Sequence, residues 1–417
     1  MSPAVLSNGN GHTDSHPVTK APAYGFSTRA VHVGSEPDAA TGAVIPAISL
    51  STTYQQTAVG VHKGFEYSRS GNPNRDAFET TLASLESGGH YGLAFSSGSA
   101  TTATVIQALG AGAHMISVND VYGGTRRYMT QVAPAQGLEV DFLDLEGSSE
   151  ETISAAIKPN TKLIWVESPT NPTLRLIDIP AIVRIAHAHP ARPLVLVDNT
   201  FLSPFYASPL LLGADIVVHS LTKYVNGHAD VVMGAAILPA HQSAFAERLR
   251  YLQNAIGAVP SPYDAWLAQR GAKTLGLRMR QHGLSALHIA KALEKSPHVA
   301  AVLYPGLATH PRNALAYASL SPHAKSGFPF GGMVSFRIRG SAHKFLEATR
   351  LFTLAESLGG IESLAELPCE MTHQSIPPAE RAILGIGPDL VRLSVGIEEV
   401  EDLMRDIEQA LEKAQLE

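Results

Sequence analysis

The chain has 417 residues, 45% hydrophobic and 16% charged, so it is long enough for two globular domains and too apolar to be disordered. The net charge of −6 and the absence of a dense Lys/Arg block argue against nucleic acid or an acidic membrane as a partner. A single cysteine, Cys369, excludes an intrachain disulfide and favours a reducing, cytoplasmic location. No apolar run reaches the roughly 18 residues that a membrane-spanning helix needs.

The N-terminal quarter of the sequence carries few patterns of regular structure. Residues 1–24 are rich in Ser, Asn, Gly, His and Pro and are predicted to form a mobile tail. Residues 25–75 are dominated by Gly, Pro, Ser and Thr and are predicted to form an extended arm. Such a segment cannot bury a core of its own, so we expect it to lie across something else, such as a neighbouring subunit.

The arm ends in a tyrosine and an arginine two residues apart. Tyr67 and Arg69 project the same way if the chain is extended there, and a guanidinium with a phenol forms a good phosphate clamp. An ordinary surface turn that ends at Asn72 is the alternative interpretation.

Apolar runs alternate with helical patterns between residues 76 and 260, which predicts one large domain. Each predicted strand is apolar on both faces, as in a buried parallel sheet with helices on its two sides. Ligands of such sheets bind at the carboxyl ends of the strands. Polar or aromatic residues follow the predicted strands at those ends: Ser97 to Ser99, Tyr122, Asn171, Asp198, Ser220 and Lys223.

Two of these strand ends place an amine and a carboxylate near each other. Leu194 to Val197 runs into Asp198, and Ile216 to Val218 runs into Ser220, Thr222 and Lys223. Pyridoxal phosphate (PLP) needs this combination: a lysine for a Schiff base, a carboxylate for the protonated ring nitrogen, and hydroxyls for the phosphate. The sequence therefore predicts a PLP site.

Residues 261–417 are predicted to form a smaller α+β domain. Met333 to Arg339 alternates with a period of two, which predicts a half-exposed strand, and Val391 to Gly396 alternates in the same way. The second of these strands carries Arg392, which we expect to reach the cleft.

Other catalytic motifs are incomplete. Ser220 to Lys223 also matches the S-x-x-K signature of serine acyl transfer, but the S-D-N and K-T-G motifs that accompany it do not occur. One cysteine cannot begin a zinc cluster, and no H-E-x-x-H occurs, so no metal site is predicted.

The motifs as a set resemble a known family over nearly the whole chain after the tail. They are YSRSGNPNR, SSGSATT, DVYGGT, SPTNP, VDNTF, SLTKYVNGH, LAESLGG and VRLSVG, in that order. They resemble the PLP-dependent enzymes of cysteine and methionine metabolism, the transsulfuration family. The resemblance implies an aspartate-aminotransferase-like (fold type I) α/β domain, a smaller C-terminal domain, and a homotetramer built from two close dimers.

The resemblance also implies a role for individual residues. Lys223 is the implied Schiff-base lysine, Asp198 the partner of the ring nitrogen, and Tyr122 the ring-stacking residue. The implied phosphate ligands are Gly98, Ser99, Ser220 and Thr222, with Tyr67 and Arg69 contributed by the adjacent subunit. The implied substrate α-carboxylate ligands are Asn171, Ser357 and Arg392. The implied neighbours of the distal end of the amino-acid substrate are Glu66, Arg127 and Glu356.

Two positions favour one activity within the family, the γ-elimination of L-cystathionine. Methionine γ-lyases typically have cysteine where this chain has Gly124, and an apolar residue where it has Glu356. A carboxylate at residue 356 suits the distal ammonium of cystathionine, because an unpaired buried charge would be costly beside a methyl thioether. Cystathionine γ-synthase, cystathionine β-lyase and methionine γ-lyase remain alternatives, as does a non-catalytic scaffold of the same fold.

Overall fold

The computed structural model describes residues 24–325 and 330–416, so the predicted tail lies outside the described residues except for Tyr24. The helices are α1 Phe26–His32, α2 Pro73–Leu85, α3 Gly98–Ala108, α4 Gly123–Arg127, α5 Glu150–Ala156, α6 Ile179–Ala188, α7 Ser203–Tyr206, α8 Ser243–Ile256, α9 Pro262–Ala272, α10 Leu275–Leu293, α11 Asn313–Ser319, α12 Ala342–Ala348, α13 Pro378–Leu384 and α14 Val400–Lys413. The strands are β1 Gln56–Ala58, β2 Val61–His62, β3 Tyr91–Phe95, β4 His114–Val118, β5 Glu139–Leu143, β6 Thr161–Glu167, β7 Leu194–Asp198, β8 Ile216–Ser220, β9 Gly234–Leu238, β10 Val299–Leu303, β11 Met333–Ile338, β12 Thr353–Leu354, β13 Leu364–Glu366 and β14 Leu390–Ser394.

The larger sheet in the described residues has seven strands, in the order β3-β9-β8-β7-β6-β4-β5. Strands β5, β4, β6, β7 and β8 pair in parallel, which confirms the predicted parallel sheet. Strand β9 runs antiparallel to both of its neighbours, a reversal that the apolar pattern did not predict. Apolar side chains on both faces of the sheet are buried, and helices cover them.

The smaller sheet has the order β10-β11-β14-β13-β12 and is mostly antiparallel. The predicted half-exposed strand is wrong, because β11 is buried along nearly its whole length and β14 along all of it. One face of β11 packs in the apolar core of the small sheet. The other face meets the large sheet's connections, where the Ser335 hydroxyl donates to the Pro172 carbonyl at 2.7 Å. The polar alternation therefore marks a contact between the two sheets and not a solvent-facing surface.

The arm is more regular than its composition indicated. Residues 26–32 form α1, whose Phe26 ring packs edge-on against Phe205 with centroids 5.4 Å apart, so the prediction of a purely extended arm is wrong there. A short hairpin of β1 and β2 also interrupts it. Between these elements, Val44, Leu50 and Val59 leave more than half of their surface exposed.

The motif that ends the arm begins a helix. Asn72 caps α2 through its side-chain oxygen, which accepts from the Asn74 amide at 3.0 Å, and Pro73 occupies the first helical position. Asn72 itself is buried, but residues 68–70 before it form a turn in which Arg69 and Ser70 are exposed and the Ser70 amide donates to the Tyr67 carbonyl at 2.9 Å, so the surface turn of the alternative interpretation is present. None of the helices among residues 24–325 and 330–416 has the length and apolarity to cross a membrane.

Candidate active site

The carboxyl ends of β7 and β8 place the predicted carboxylate and amine beside each other. The two strands are parallel neighbours, with Asp198 paired in register with Val218. The chain then turns sharply after Ser220, and the Lys223 amide donates to the Ser220 carbonyl at 3.2 Å. The Thr222 hydroxyl fixes this turn, since it accepts from the Met233 amide at 3.1 Å. The turn directs Lys223 into the cleft at the sheet edge.

A cleft of about 290 Å³ opens at this edge, between the two sheets. It brings together most of the residues that the sequence singled out, from segments spread over nearly the whole chain. Those residues are Gly98, Ser99, Tyr122, Asn171, Asp198, Ser220, Thr222, Lys223, Glu356, Ser357 and Arg392.

Four predicted site residues do not line this cleft: Glu66, Tyr67, Arg69 and Arg127. Arg69 instead donates to the Asn254 side chain at 2.9 Å, and its guanidinium lies 5.7 Å from the centre of the Tyr67 ring. Glu66 lies 3.7 Å from the His62 imidazole. Tyr67 is largely exposed, so its phenol is free to meet another chain.

The amino end of α3 forms a small anion-binding turn. Ser97 caps the helix by accepting from the Ala100 amide at 2.9 Å, and Gly98 and Ser99 follow it. A Cβ on Gly98 would lie 3.3 Å from the Ser220 Cβ, so glycine permits the close approach of this turn to β8. The helix dipole and the backbone N–H groups of the first turn favour a phosphate there.

The Lys223 amine is held by one hydrogen bond and is easily deprotonated. Its Nζ donates to the Ser357 hydroxyl at 2.6 Å. Burial, together with the nearby Arg392 cation, lowers the pKa of Lys223 to about 8. The Glu366 and Glu356 carboxylates oppose this shift. Near neutral pH this amine can therefore act both as a nucleophile and as a base.

Asp198 is half-buried and lies next to a buried carboxylate, Glu167. Burial raises the pKa of Asp198, while the Thr200 hydroxyl and amide oppose the shift by donating to its Oδ1 at 2.6 and 3.0 Å. Burial and the Asp198 charge raise the pKa of Glu167 well above its usual value. A cation near these groups would offset both effects, and the protonated ring nitrogen of a bound PLP would supply one.

Glu167 also positions Tyr122. Both of its carboxylate oxygens accept from the Tyr122 amide, at 3.1 and 3.2 Å. A Cβ on Gly124 would lie 2.6 Å from the Tyr122 ring, so glycine there allows the ring to lie over its own turn. A cysteine at this position would displace the ring.

The Arg392 guanidinium contacts three segments that lie far apart in the sequence. Its Nη1 donates to the Asn171 side chain at 2.9 Å, and its Nη2 donates to the Ser357 carbonyl at 2.7 Å. Ser357 has a φ of +89°, a conformation that costs a non-glycine residue about 1–3 kcal/mol and is typical of functional sites. Glu366, on the strand beside Arg392, lies 2.9 Å from the same Nη1.

Sequence reasoning missed three residues of the site: Glu167, Thr200 and Glu366. Thr200 follows Asp198 by two residues, a spacing at which a hydroxyl commonly donates to an Asp side chain, so that signal was available. Glu167 ends β6 and was open to the same strand-end argument as Asp198. Glu366 gave no local signal, because only the pairing of β13 with β14 brings it to Arg392.

The residues around the cleft fit PLP. The Lys223 amine, the Asp198 carboxylate and the anion-binding turn of α3 all line the same space, and Asp198 is a half-buried carboxylate whose charge a ring cation would stabilise. With the order of the large sheet, this arrangement defines a PLP-dependent enzyme of the aspartate-aminotransferase-like fold.

Comparison with known proteins is consistent with this class. The family described as Cys/Met metabolism PLP-dependent enzyme matches residues 27–412. Cystathionine gamma-lyase of Saccharomyces cerevisiae is 52% identical over 93% of this chain and 98% of its own, and that of Sus scrofa is 51% identical over 93% and 94%. The structure of cystathionine gamma-lyase from Lactobacillus plantarum complexed with L-serine has a TM-score of 0.88 at 42% identity, covering 94% of this chain and 99% of that one. The chain belongs to the Cys/Met metabolism family of PLP-dependent enzymes, which confirms the resemblance, the fold class and the cofactor predicted from the sequence.

Proposed function

We propose that the protein cleaves L-cystathionine by γ-elimination, giving L-cysteine, 2-oxobutyrate and ammonia with the uptake of one water. The observation that carries this proposal is the combination of Arg392, Lys223 and Glu356 around one cleft. Arg392 suits the α-carboxylate of an amino acid, and Glu356 suits a second ammonium further along the substrate. The relatives named cystathionine gamma-lyase, about half identical over nearly the whole chain, support the same activity.

The cofactor would be held by residues from both sides of the cleft. Gly98, Ser99, Ser220 and Thr222 would bind the phosphate, Tyr122 would stack on the ring, and Asp198 would pair with the ring nitrogen. Lys223 would bind the aldehyde carbon. When bound, PLP supplies an electron sink for bonds that break next to the substrate nitrogen.

The chain's own side chains would bind the substrate and move its protons. Arg392, Asn171 and Ser357 would hold the α-carboxylate, which fixes the substrate Cα close to the Lys223 amine. Lys223, with its pKa lowered to about 8, would remove the Cα proton as a neutral amine. The contact with Ser357 positions Lys223 for this task. Asp198, as the charged partner of the ring nitrogen, would keep that nitrogen protonated.

The keto acid formed from L-cystathionine tests the proposed reaction. We expect 2-oxobutyrate and cysteine in equal amounts, because the bond between the γ-carbon and sulfur is the one that breaks. Chromatography of the derivatised keto acids after incubation with the purified PLP-loaded protein measures this. Pyruvate in place of 2-oxobutyrate would indicate β-cleavage, and no keto acid would favour a synthase. Cysteine as substrate would give pyruvate, ammonia and hydrogen sulfide by β-elimination, which we propose as a side activity.

The active site is proposed to be shared between subunits of a homotetramer. Tyr67 and Arg69 lie outside their own chain's cleft, and the apolar side chains of the arm are exposed. In this proposal the partner's arm covers the cleft and supplies its phosphate clamp, while Glu66 and Arg127 approach the distal end of the substrate. We place the protein in the cytoplasm, a proposal supported by the single free cysteine.

Complementation between inactive variants tests the shared site. Co-expression of Lys223→Ala and Arg69→Ala chains should restore roughly a quarter of wild-type activity, since half of randomly formed dimers are mixed and each mixed dimer has one intact site. Differently tagged chains, purified through both tags, allow activity per mixed dimer to be measured.

A matched pair serves as the control for this experiment. Lys223→Ala with Asp198→Ala should give no recovery, because each chain's own cleft contains both of those residues. Recovery in the control pair, or none in the test pair, would place Arg69 within its own chain's site.

A further inference from the structure

Arg392 is already paired with a carboxylate before any substrate binds. Glu366 and Arg392 are cross-strand partners on β13 and β14, with only 1% and 2% of their side chains exposed. Their ion pair leaves one polar atom of each side chain unpaired, because Glu366 Oε2 and Arg392 Nε have no hydrogen-bond partner in the described part of the chain. A substrate carboxylate at Arg392 would therefore meet a buried negative charge a few ångströms away.

A chain of hydrogen-bonded groups connects Glu366 through Thr372, which lines the cleft, to the buried His373. The Thr372 hydroxyl lies 2.8 Å from Glu366 Oε1 and 2.8 Å from His373 Nδ1. The other ring nitrogen of His373, Nε2, lies 3.0 Å from the Asn171 carbonyl oxygen. His373 is fully buried, so this chain does not exchange hydrogen bonds with solvent at its far end.

The positions of the hydrogens in this chain follow from what each group can donate. The Asn171 carbonyl only accepts, so His373 Nε2 must carry a hydrogen. Burial lowers the pKa of His373 to about 4, so the ring is neutral and its Nδ1 accepts from Thr372. Thr372 has one hydroxyl hydrogen, which it can donate either to Glu366 or to His373, so both contacts are hydrogen bonds at the same time only if Glu366 is protonated and donates. All hydrogen bonds among these groups can therefore form together only when the groups hold one proton more than an ionised Glu366 and a neutral His373 provide.

The groups around Glu366 shift its pKa in opposite directions, so its protonated and ionised states compete. Burial raises the pKa of Glu366, whereas the Arg392 cation lowers it, as does Thr372 when its hydroxyl donates to Glu366 and not to His373; the Glu356 carboxylate adds to the upward shift and the Lys223 cation opposes it. A substrate carboxylate would neutralise the largest opposing charge, that of Arg392. The proton then becomes favourable on Glu366, and Thr372 is already placed to accept its hydrogen bond.

We propose that Glu366, Thr372 and His373 form a proton-accepting chain that takes up one proton when a carboxylate binds to Arg392. Glu366 is a positioning residue in this proposal: it holds the guanidinium in place in the free enzyme and gives up its charge when the substrate arrives. The inference rests on the proposed role of Arg392 as the carboxylate site.

Binding of butyrate to the PLP-loaded enzyme tests the inference, because butyrate has a carboxylate and no amine that reacts with the cofactor. Calorimetry between pH 6.5 and 8.5, in two buffers of different ionisation enthalpy, gives the dissociation constant and the protons taken up. Affinity should fall as pH rises, by up to about tenfold per pH unit for one coupled proton. Other groups that face the cleft contribute to this slope, so the informative quantity is the difference between wild type and Glu366→Gln.

Glu366→Gln keeps the size and the acceptor oxygen of the side chain but takes up no proton. It should lose up to one proton of uptake and bind butyrate more tightly than wild type at high pH. Thr372→Val should also lower the uptake, because it removes the acceptor of the Glu366 hydrogen bond. Glu370→Gln is the matched control, since Glu370 is half exposed and pairs with His343 on the surface, and it should keep the wild-type slope.

The outcomes separate this inference from the proposed function. Equal proton uptake by wild type and Glu366→Gln, or none by wild type, would overturn the proton-accepting chain. Arg392→Leu should abolish butyrate binding; if it does not, the carboxylate site itself is misassigned and the proposed function fails with it.

Discussion

Replacing Lys223 by alanine is expected to lower the turnover of L-cystathionine by at least about 10³-fold, because in the proposed mechanism it removes both the base and the covalent anchor of the cofactor. The structure gives this lysine a single polar contact, with Ser357, and a pKa of about 8. After reduction with borohydride, mass spectrometry should find the cofactor attached to Lys223 in wild type and to no residue in the variant. Turnover is measured by the release of keto acid.

Lys273→Ala is the matched control for this substitution. Lys273 is also a partly buried lysine that donates to a serine hydroxyl, that of Ser35, at 2.6 Å, but it does not line the cleft. Burial lowers its pKa as well. We expect this variant to keep its cofactor and its activity. Normal turnover by Lys223→Ala, or cofactor attached to a different lysine, would refute the assignment of Lys223.

Asp198→Ala is expected to lower turnover by roughly 10²–10⁴-fold. Breaking a buried ion pair costs about 3–5 kcal/mol, and each 1.36 kcal/mol of lost transition-state stabilisation is about tenfold in rate. In the proposed mechanism the partner that loses its charge is the protonated ring nitrogen, whose ability to accept electrons depends on that proton. Initial rates at saturating PLP separate this effect from weaker cofactor binding.

The asparagine variant distinguishes charge from shape at this position. Asp198→Asn keeps an oxygen that can accept from the Thr200 hydroxyl and amide, so it preserves the local turn while removing the charge. We expect its turnover to be nearly as low as that of the alanine variant. A near-normal rate in both variants would remove Asp198 from the mechanism, and a near-normal rate in Asp198→Asn alone would show that the hydrogen bonds with Thr200 matter and the charge does not.

The position of the cofactor site was predictable because it depends on local patterns. Apolar runs such as those before Asp198 and Ser220 form buried parallel strands, and parallel strands end at one edge of a sheet. Each strand end can therefore be read without knowing which strands are neighbours. The roles assigned to individual residues and the division near residue 260 stay predictions.

The substrate side of the site was less predictable from local patterns. The alternation of β11 predicted a solvent-facing surface, yet that face packs against the large sheet's connections. An alternating pattern states that one face is polar, but it does not state whether water or another element covers that face.

The sequence by itself determined the strands, the amine and carboxylate at their ends, and the family of the chain. Only the tertiary structure decided that Arg392, Asn171 and Ser357 meet, and that Glu366 pairs with the same guanidinium. The physical reason is that strand formation depends on neighbours a few residues apart. A buried charge, in contrast, takes its partners from segments that long-range packing brings together.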